Sequence, residues 1–202
     1  MTDFDDLVGR VVTRARTDSG ELPPPVGAEE IAAAEAALGL TLPPLLARLY
    51  REVGNGGFGP DYRLFPLAGE GRTAVGLYHL ELAGCADSTR PHWPAGVLPI
   101  LDWGCGMYAA VDCTDDAGPV LLFEPNPVDS DDNWKDAWFL DSGSLAEWLE
   151  KWLSGTGWFE EDSYEKGDPE EPQPWPPAAA RLTAAQPAAA QPAAARPAGA
   201  RG

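Results

Sequence analysis

The chain has 202 residues, 44% hydrophobic and 23% charged, which suits one globular domain plus additional sequence. Its net charge of -18, from 32 acidic against 14 basic side chains, argues against nucleic acid and anionic membranes as partners. The same field attracts a basic protein, although acidity by itself also keeps a surface soluble. No apolar run approaches the ~20 residues that span a bilayer, and the first residues, MTDFDDLV, are acidic where a signal peptide is positive. Cys85, Cys105 and Cys113 are an odd number that fits a reducing compartment, so a cytoplasmic protein is expected.

Phe4, Leu7, Val8, Val11 and Val12 recur at helical spacing and predict a first helix over about residues 3–16. Asp5 and Asp6 in its first turn and Arg14 and Arg16 in its last suit the helix dipole. Ile31, Ala34 and Leu38 place a second helix at 28–38, stopped by Gly39. A third starts at Pro43 and Pro44, carries Leu45, Leu46, Leu49, Tyr50 and Val53 on one face, and ends at Gly54.

The hexapeptide GNGGFG (residues 54–59) spells the dinucleotide-binding fingerprint, but that motif needs a strand before it and a helix after it. Here a helix precedes, and Pro60 and an extended DYRLFPL follow. The glycines are therefore read as a helix stop, with Gly54 or Asn55 in the left-handed conformation.

Residues 62–140 read as short strands at 62–67, 74–78, 97–101, 107–112, 120–123 and 134–140, with TDDAG as a hairpin loop joining the fourth to the fifth. Residues 79–96 are ambiguous, between a helical turn and a loop. In SLAEWLEKWL, Ser144 and Glu147 form a capping box before the apolar stripe Leu145, Trp148, Leu149, Trp152 and Leu153, and Gly155 closes the helix. Past residue 159 the chain turns acidic and proline-rich, then repeats AAQPA, so 160–202 is expected to be disordered.

Chemistry-bearing residues are sparse. Cys105 in DWGCG has no histidine placed beside it by local sequence and reads as a half-buried residue at a strand start. Cys85, Cys105, Cys113, His79 and His92 lack the close pairs of a zinc site, and no metal or other cofactor is expected. Asp102 with Glu35 is a conceivable acid–base pair, though spacing alone does not bring them together. Asp129, Asp131 and Asp132 in NPVDSDDN lack the glycine and distal glutamate of a calcium loop and read as a solvated acidic loop. Trp103, Trp134, Trp138 and Trp158 flank turns, where tryptophans either line a groove or fill the core.

In chain order, Ile31, Glu35, Leu38 and Gly39, then Leu42 and Pro43, then Asn55, Gly56 and Gly57 resemble the opening signature of the SUKH superfamily. That superfamily unites yeast cell-wall-synthesis regulators with bacterial toxin-immunity proteins. The stretch LPILDWGCGMYAAVDC, with Trp103 and Gly104, is similar to its central hairpin, and SLAEWLEKWL to its closing helix. The resemblance covers about residues 25–157. It implies an α+β fold, helices packed on a mostly antiparallel sheet, with a domain at 1–159 and a tail at 160–202.

It also implies a non-catalytic domain that binds protein, most typically an immunity protein occluding a toxin, with the signature residues serving the fold. Charge then favours a basic toxin domain, with Asp129, Asp131, Asp132, Asp136 and Trp134 as the expected contacts. Two rival readings are a regulatory scaffold that recruits partners through the proline-rich tail, and a hydrolase using Asp102 or Cys105.

Overall fold

Val120–Phe123 is apolar at every position, and all four side chains are buried. Because successive side chains point to opposite faces, such a strand needs cover on both sides. The computed structural model describes residues 4–86, 88–160, 163, 166 and 169–183; at Asp131 and Asp132 it describes the backbone alone. Among the described residues it contains six α-helices and one antiparallel sheet of five strands, an α+β fold as the sequence predicts.

In chain order these are α1 (Asp5–Ser19), α2 (Ala28–Leu38), α3 (Pro44–Glu52), α4 (Ala74–Cys85), β1 (Val97–Gly104), β2 (Met107–Asp112) and β3 (Val120–Phe123). A 3-10 segment (Asp131–Ala137), β4 (Trp138–Ser142), α5 (Leu145–Ser154), β5 (Gln173–Pro174) and α6 (Ala178–Thr183) follow. The strands lie in sequence order, each antiparallel to the next.

On one face Leu98, Ile100, Ala109, Val111 and Val120 meet Leu46, Leu49, Trp148, Leu149 and Trp152 in the main core. On the other, Val97, Ala110, Leu121, Phe123 and Trp138 pack with Trp93, Trp175, Ala178 and Leu182. At the outer edge β1 contains Pro99, where a missing N–H is tolerated, and the Phe65 N–H bonds Ile100 O at 2.8 Å.

Several expectations are corrected. Residues 74–78 open α4, capped by Thr73 Oγ1 accepting the Gly76 N–H at 3.0 Å; this helix carries so few polar residues that its sequence shows little periodic contrast. Residues 62–67 run beside β1 without forming a strand. Residues 134–137 belong to the 3-10 segment, and β4 starts at Trp138. In α5, Ser144 Oγ accepts the Glu147 N–H at 3.1 Å, while the Glu147 carboxylate takes the Gly143 N–H at 3.0 Å, one residue ahead of the predicted box partner. Order also continues past the boundary expected at residue 159: β5 pairs with β4, and Trp175 and Leu182 are buried. The AAQPA repeats at 184–202 lie outside the described residues.

The GNGG stretch holds three segments together. The Asn55 backbone N–H donates to Pro24 O at 3.1 Å, the Asn55 side-chain Oδ1 accepts the Leu67 N–H at 2.7 Å, and the Gly57 N–H reaches Leu64 O at 2.9 Å. The left-handed residues are Gly56 (φ 75°) and Gly57 (φ 77°), displacing the expectation for Gly54 or Asn55. A Cβ on Gly56 would stand 2.5 Å from the Phe65 carbonyl carbon, whereas one on the left-handed Gly39 would meet nothing within 4 Å. Gly56→Ala is therefore expected to cost clearly more stability than Gly39→Ala, about 2 kcal/mol or more against about 1. Urea midpoints of the two variants check this.

Candidate functional site

The loop from β3 to β4 leaves the sheet at Glu124, whose N–H donates to Ala137 O at 2.8 Å and closes its base. Asn126 ties it to the β1–β2 hairpin by donating to Cys105 O at 3.2 Å, and its amide also bonds Glu124 Oε1. Hairpin tip and loop therefore form one end of the molecule.

That tip is a two-residue turn between Gly104 and Met107. Cys105 (φ 52°) and Gly106 (φ 80°) are both left-handed, the geometry of a type I′ turn. Cys105 is exposed there, in place of the half-buried position expected at a strand start.

Of the expected contact residues, Asp129 is exposed. Asp136 is exposed too, with Lys135 Nζ 2.6 Å from its carboxylate offsetting part of its charge. The side chains of Asp131 and Asp132 lie outside the described residues. Trp134 is half-buried, its ring 5.5 Å from His92 and 6.4 Å from Phe123, so much of it faces inward.

The four turn-flanking tryptophans do not line one groove. Trp138 is fully buried on the sheet's second face, while Trp103 packs with Trp158 and Phe159 beside the first. Tyr62, 62% exposed, meets Trp103 edge-on.

Asp102 pairs with Arg72 at 2.6 Å and accepts the Gly104 N–H, whereas Glu35 accepts the Leu42 N–H; the two carboxylates serve separate partners. The open groove between α1 and α5, about 590 Å³, is lined by Arg10, Thr13, Arg14, Glu150 and Leu153 and contains neither Asp102 nor Cys105. Among the described residues, no three His, Cys, Asp or Glu side chains are grouped to hold a metal ion.

One constellation was not foreseen. His92 Nδ1 lies 3.4 Å from Cys85 Sγ, and its Nε2 lies 2.8 Å from Glu81 Oε2. Glu81 and Cys85 are four apart on α4, so a correct helix assignment would have put them on one face, but His92 arrives from a loop. Cys85 and then Glu81 hold the His92 proton, raising its pKa to about 9 against the opposing effect of burial. Burial pushes the Cys85 thiol up, but the hydrogen bonds from His92 and the Trp93 N–H outweigh it and leave the thiol below its ordinary value. By contrast burial and the Asp112 charge push Cys113 up to about 12.

The signature residues also have defined positions. Ile31, Leu38 and Leu42 are buried, and Pro43 is the residue preceding α3. Glu35 Oε1 accepts the Leu42 N–H at 2.9 Å, fixing the step between α2 and α3. Gly39 (φ 65°) ends α2, Asn55 to Gly57 form the weld described above, and Trp103 and Gly104 lead into the hairpin turn.

An antiparallel sheet backed by helices, with the signature residues buried or hydrogen-bonded at the steps between elements, makes this an α+β domain. The profile of the SMI1 / KNR4 family (SUKH-1) matches residues 25–151, well over half of the sequence, and the chain belongs to this family. No curated protein matches it.

A histidine pKa above its ordinary 6.5 means that the folded chain holds the proton more tightly than the unfolded chain. The resulting stabilisation is complete below about pH 6.5 and is lost as pH rises through about 9. An NMR titration of the His92 ring should give a midpoint near 9 that falls in Glu81→Gln. Unfolding midpoints should decline over the same window, and less steeply in that variant.

Proposed function

We propose that this chain is a non-catalytic cytoplasmic binding protein: an immunity protein that neutralises a bacterial toxin by docking on it and occluding its working surface. Family membership supports the class, because bacterial members of the superfamily typically act by binding. The observation that carries the choice of partner is charge. At -18 the chain favours a basic toxin domain, such as a nuclease whose cleft is built to attract phosphates.

The end formed by the β3–β4 loop and the hairpin tip is the proposed contact surface, with Asp129, Asp131, Asp132 and Asp136 supplying charge and Trp134 the adjoining apolar edge. Blocking is steric and electrostatic, so association slows as salt rises. The scaffold alternative, in which the tail recruits partners, has less chain to work with: Trp175, Ala178 and Leu182 are already packed on the sheet.

Affinity capture from the native lysate at low and then moderate salt, read by mass spectrometry, tests the reading. One basic, toxin-like protein that washes off with salt is expected; several housekeeping proteins, or none, count against it. Replacing Asp129, Asp131, Asp132 and Asp136 together with Asn should slow association at low salt by roughly tenfold. Unchanged stopped-flow kinetics would exclude the loop as the contact.

A further inference from the structure

The strap formed by residues 169–183 fills a defined socket on the sheet's second face. Trp175 is 7% exposed, its ring 6.1 Å from that of Trp138, and its N–H donates to Trp138 O at 2.9 Å. Six residues on, Arg181 grips Asp112 with two hydrogen bonds, Nη1 to Oδ2 at 2.8 Å and Nη2 to Oδ1 at 3.1 Å. Nη2 also donates to Ala95 O at 2.9 Å, and Nη1 to Thr114 Oγ1 at 3.2 Å.

Asp112 itself is 7% exposed, and the Thr114 hydroxyl donates to it at 2.7 Å. Gly96 (φ 86°) gives the guanidinium passage: a Cβ there would lie 2.8 Å from Thr114 Cγ2 and 3.3 Å from Arg181 Nη2. The socket thus offers a strand edge, an aromatic shelf and a buried carboxylate with a backbone carbonyl beside it.

The strap has little secondary structure of its own. β5 is two residues long, both side chains are exposed, and Pro174 has no N–H to give the ladder. α6 has six residues, too few to persist as a helix without its packing. The strap lies beyond the region 25–151 matched by the family profile, and the chain from 155 to 172 joins it to α5, so a strap released from the socket would stay near it.

We propose that this socket is a peptide-binding site, filled in cis by the strap and in trans by an extended segment of a protein partner. That segment carries a bulky aromatic residue and, six positions later, an arginine. It pairs with the β4 edge, lays its ring on Trp138 and places its guanidinium on Asp112, the contacts the strap makes now. The acidic chain favours such a basic segment. Because α6 packs against the 3-10 segment, a partner in the socket also meets the acidic loop. The site does not depend on that partner being a toxin.

The probe is a fluorescein-labelled peptide of residues 169–183, titrated into the full-length chain and into full-length Trp175→Ala/Arg181→Ala. With the cis competitor weakened, the variant should bind the peptide at least roughly tenfold more tightly than the unaltered chain. A control peptide carrying the same two substitutions should not bind. Equal binding to both proteins, or none to a variant whose circular dichroism is unchanged, overturns the proposal. In the unaltered chain, the amides of β4 and α6 should exchange hydrogen well before those of β2. Exchange of all three together, only through global unfolding, overturns it independently.

Discussion

A sheet with two apolar faces is the constraint from which the rest of this structure follows. Ala109 and Val111 point one way along β2 and Ala110 the other; Val120 and Leu121 divide in the same manner on β3. Neither face tolerates water, so one layer of helices cannot complete the domain. The N-terminal helices and α5 close the first face. The second is closed by pieces from far apart in the chain: Trp93 from the loop before β1, Trp138 at the start of β4, and the strap.

This division also explains where polar groups are buried. Asp112 ends β2 beneath the strap, where burial opposes its charge but hydrogen bonds from Arg181 and Thr114 overcome that effect and hold its carboxyl below the usual range. Asp141, near the end of β4, accepts the Trp158 indole N–H at 2.9 Å, yet there burial dominates and pushes the carboxyl up. Asp112 has a guanidinium bonded directly to its carboxylate by two hydrogen bonds. Asp141 has the Trp158 indole, the Ser142 hydroxyl and the more distant charge of Lys151, which together do not offset its burial.

Much of this was legible in the sequence where local signals agreed. β2 and β3 have the bounds that their apolar runs and the TDDAG turn predict, and α2 has the bounds set by its stripe and Gly39. α4 was misread because a helix lying among apolar neighbours loses the contrast that periodicity needs. The strap was invisible for the opposite reason: Ala- and Pro-rich sequence has little structure of its own, and its order comes from Trp175 and Arg181 meeting a surface built elsewhere. At the candidate site, the exposure of Asp129 and Asp136 could be read from a polar loop. The inward packing of Trp134, and the union of Glu81, Cys85 and His92, required the chain to fold.

The placement of the strap has a consequence for synthesis. The ribosome completes β4 at residue 142 but must add some forty more residues before Leu182 exists to cover the second face. At ordinary elongation rates that interval lasts on the order of seconds. During it, Trp93, Phe123 and Trp138 form a bare aromatic surface on a nascent chain, with an open strand edge alongside. Neighbouring nascent copies repel one another through the acidic residues already made, so the chain's negative charge guards the polysome against its own unfinished product.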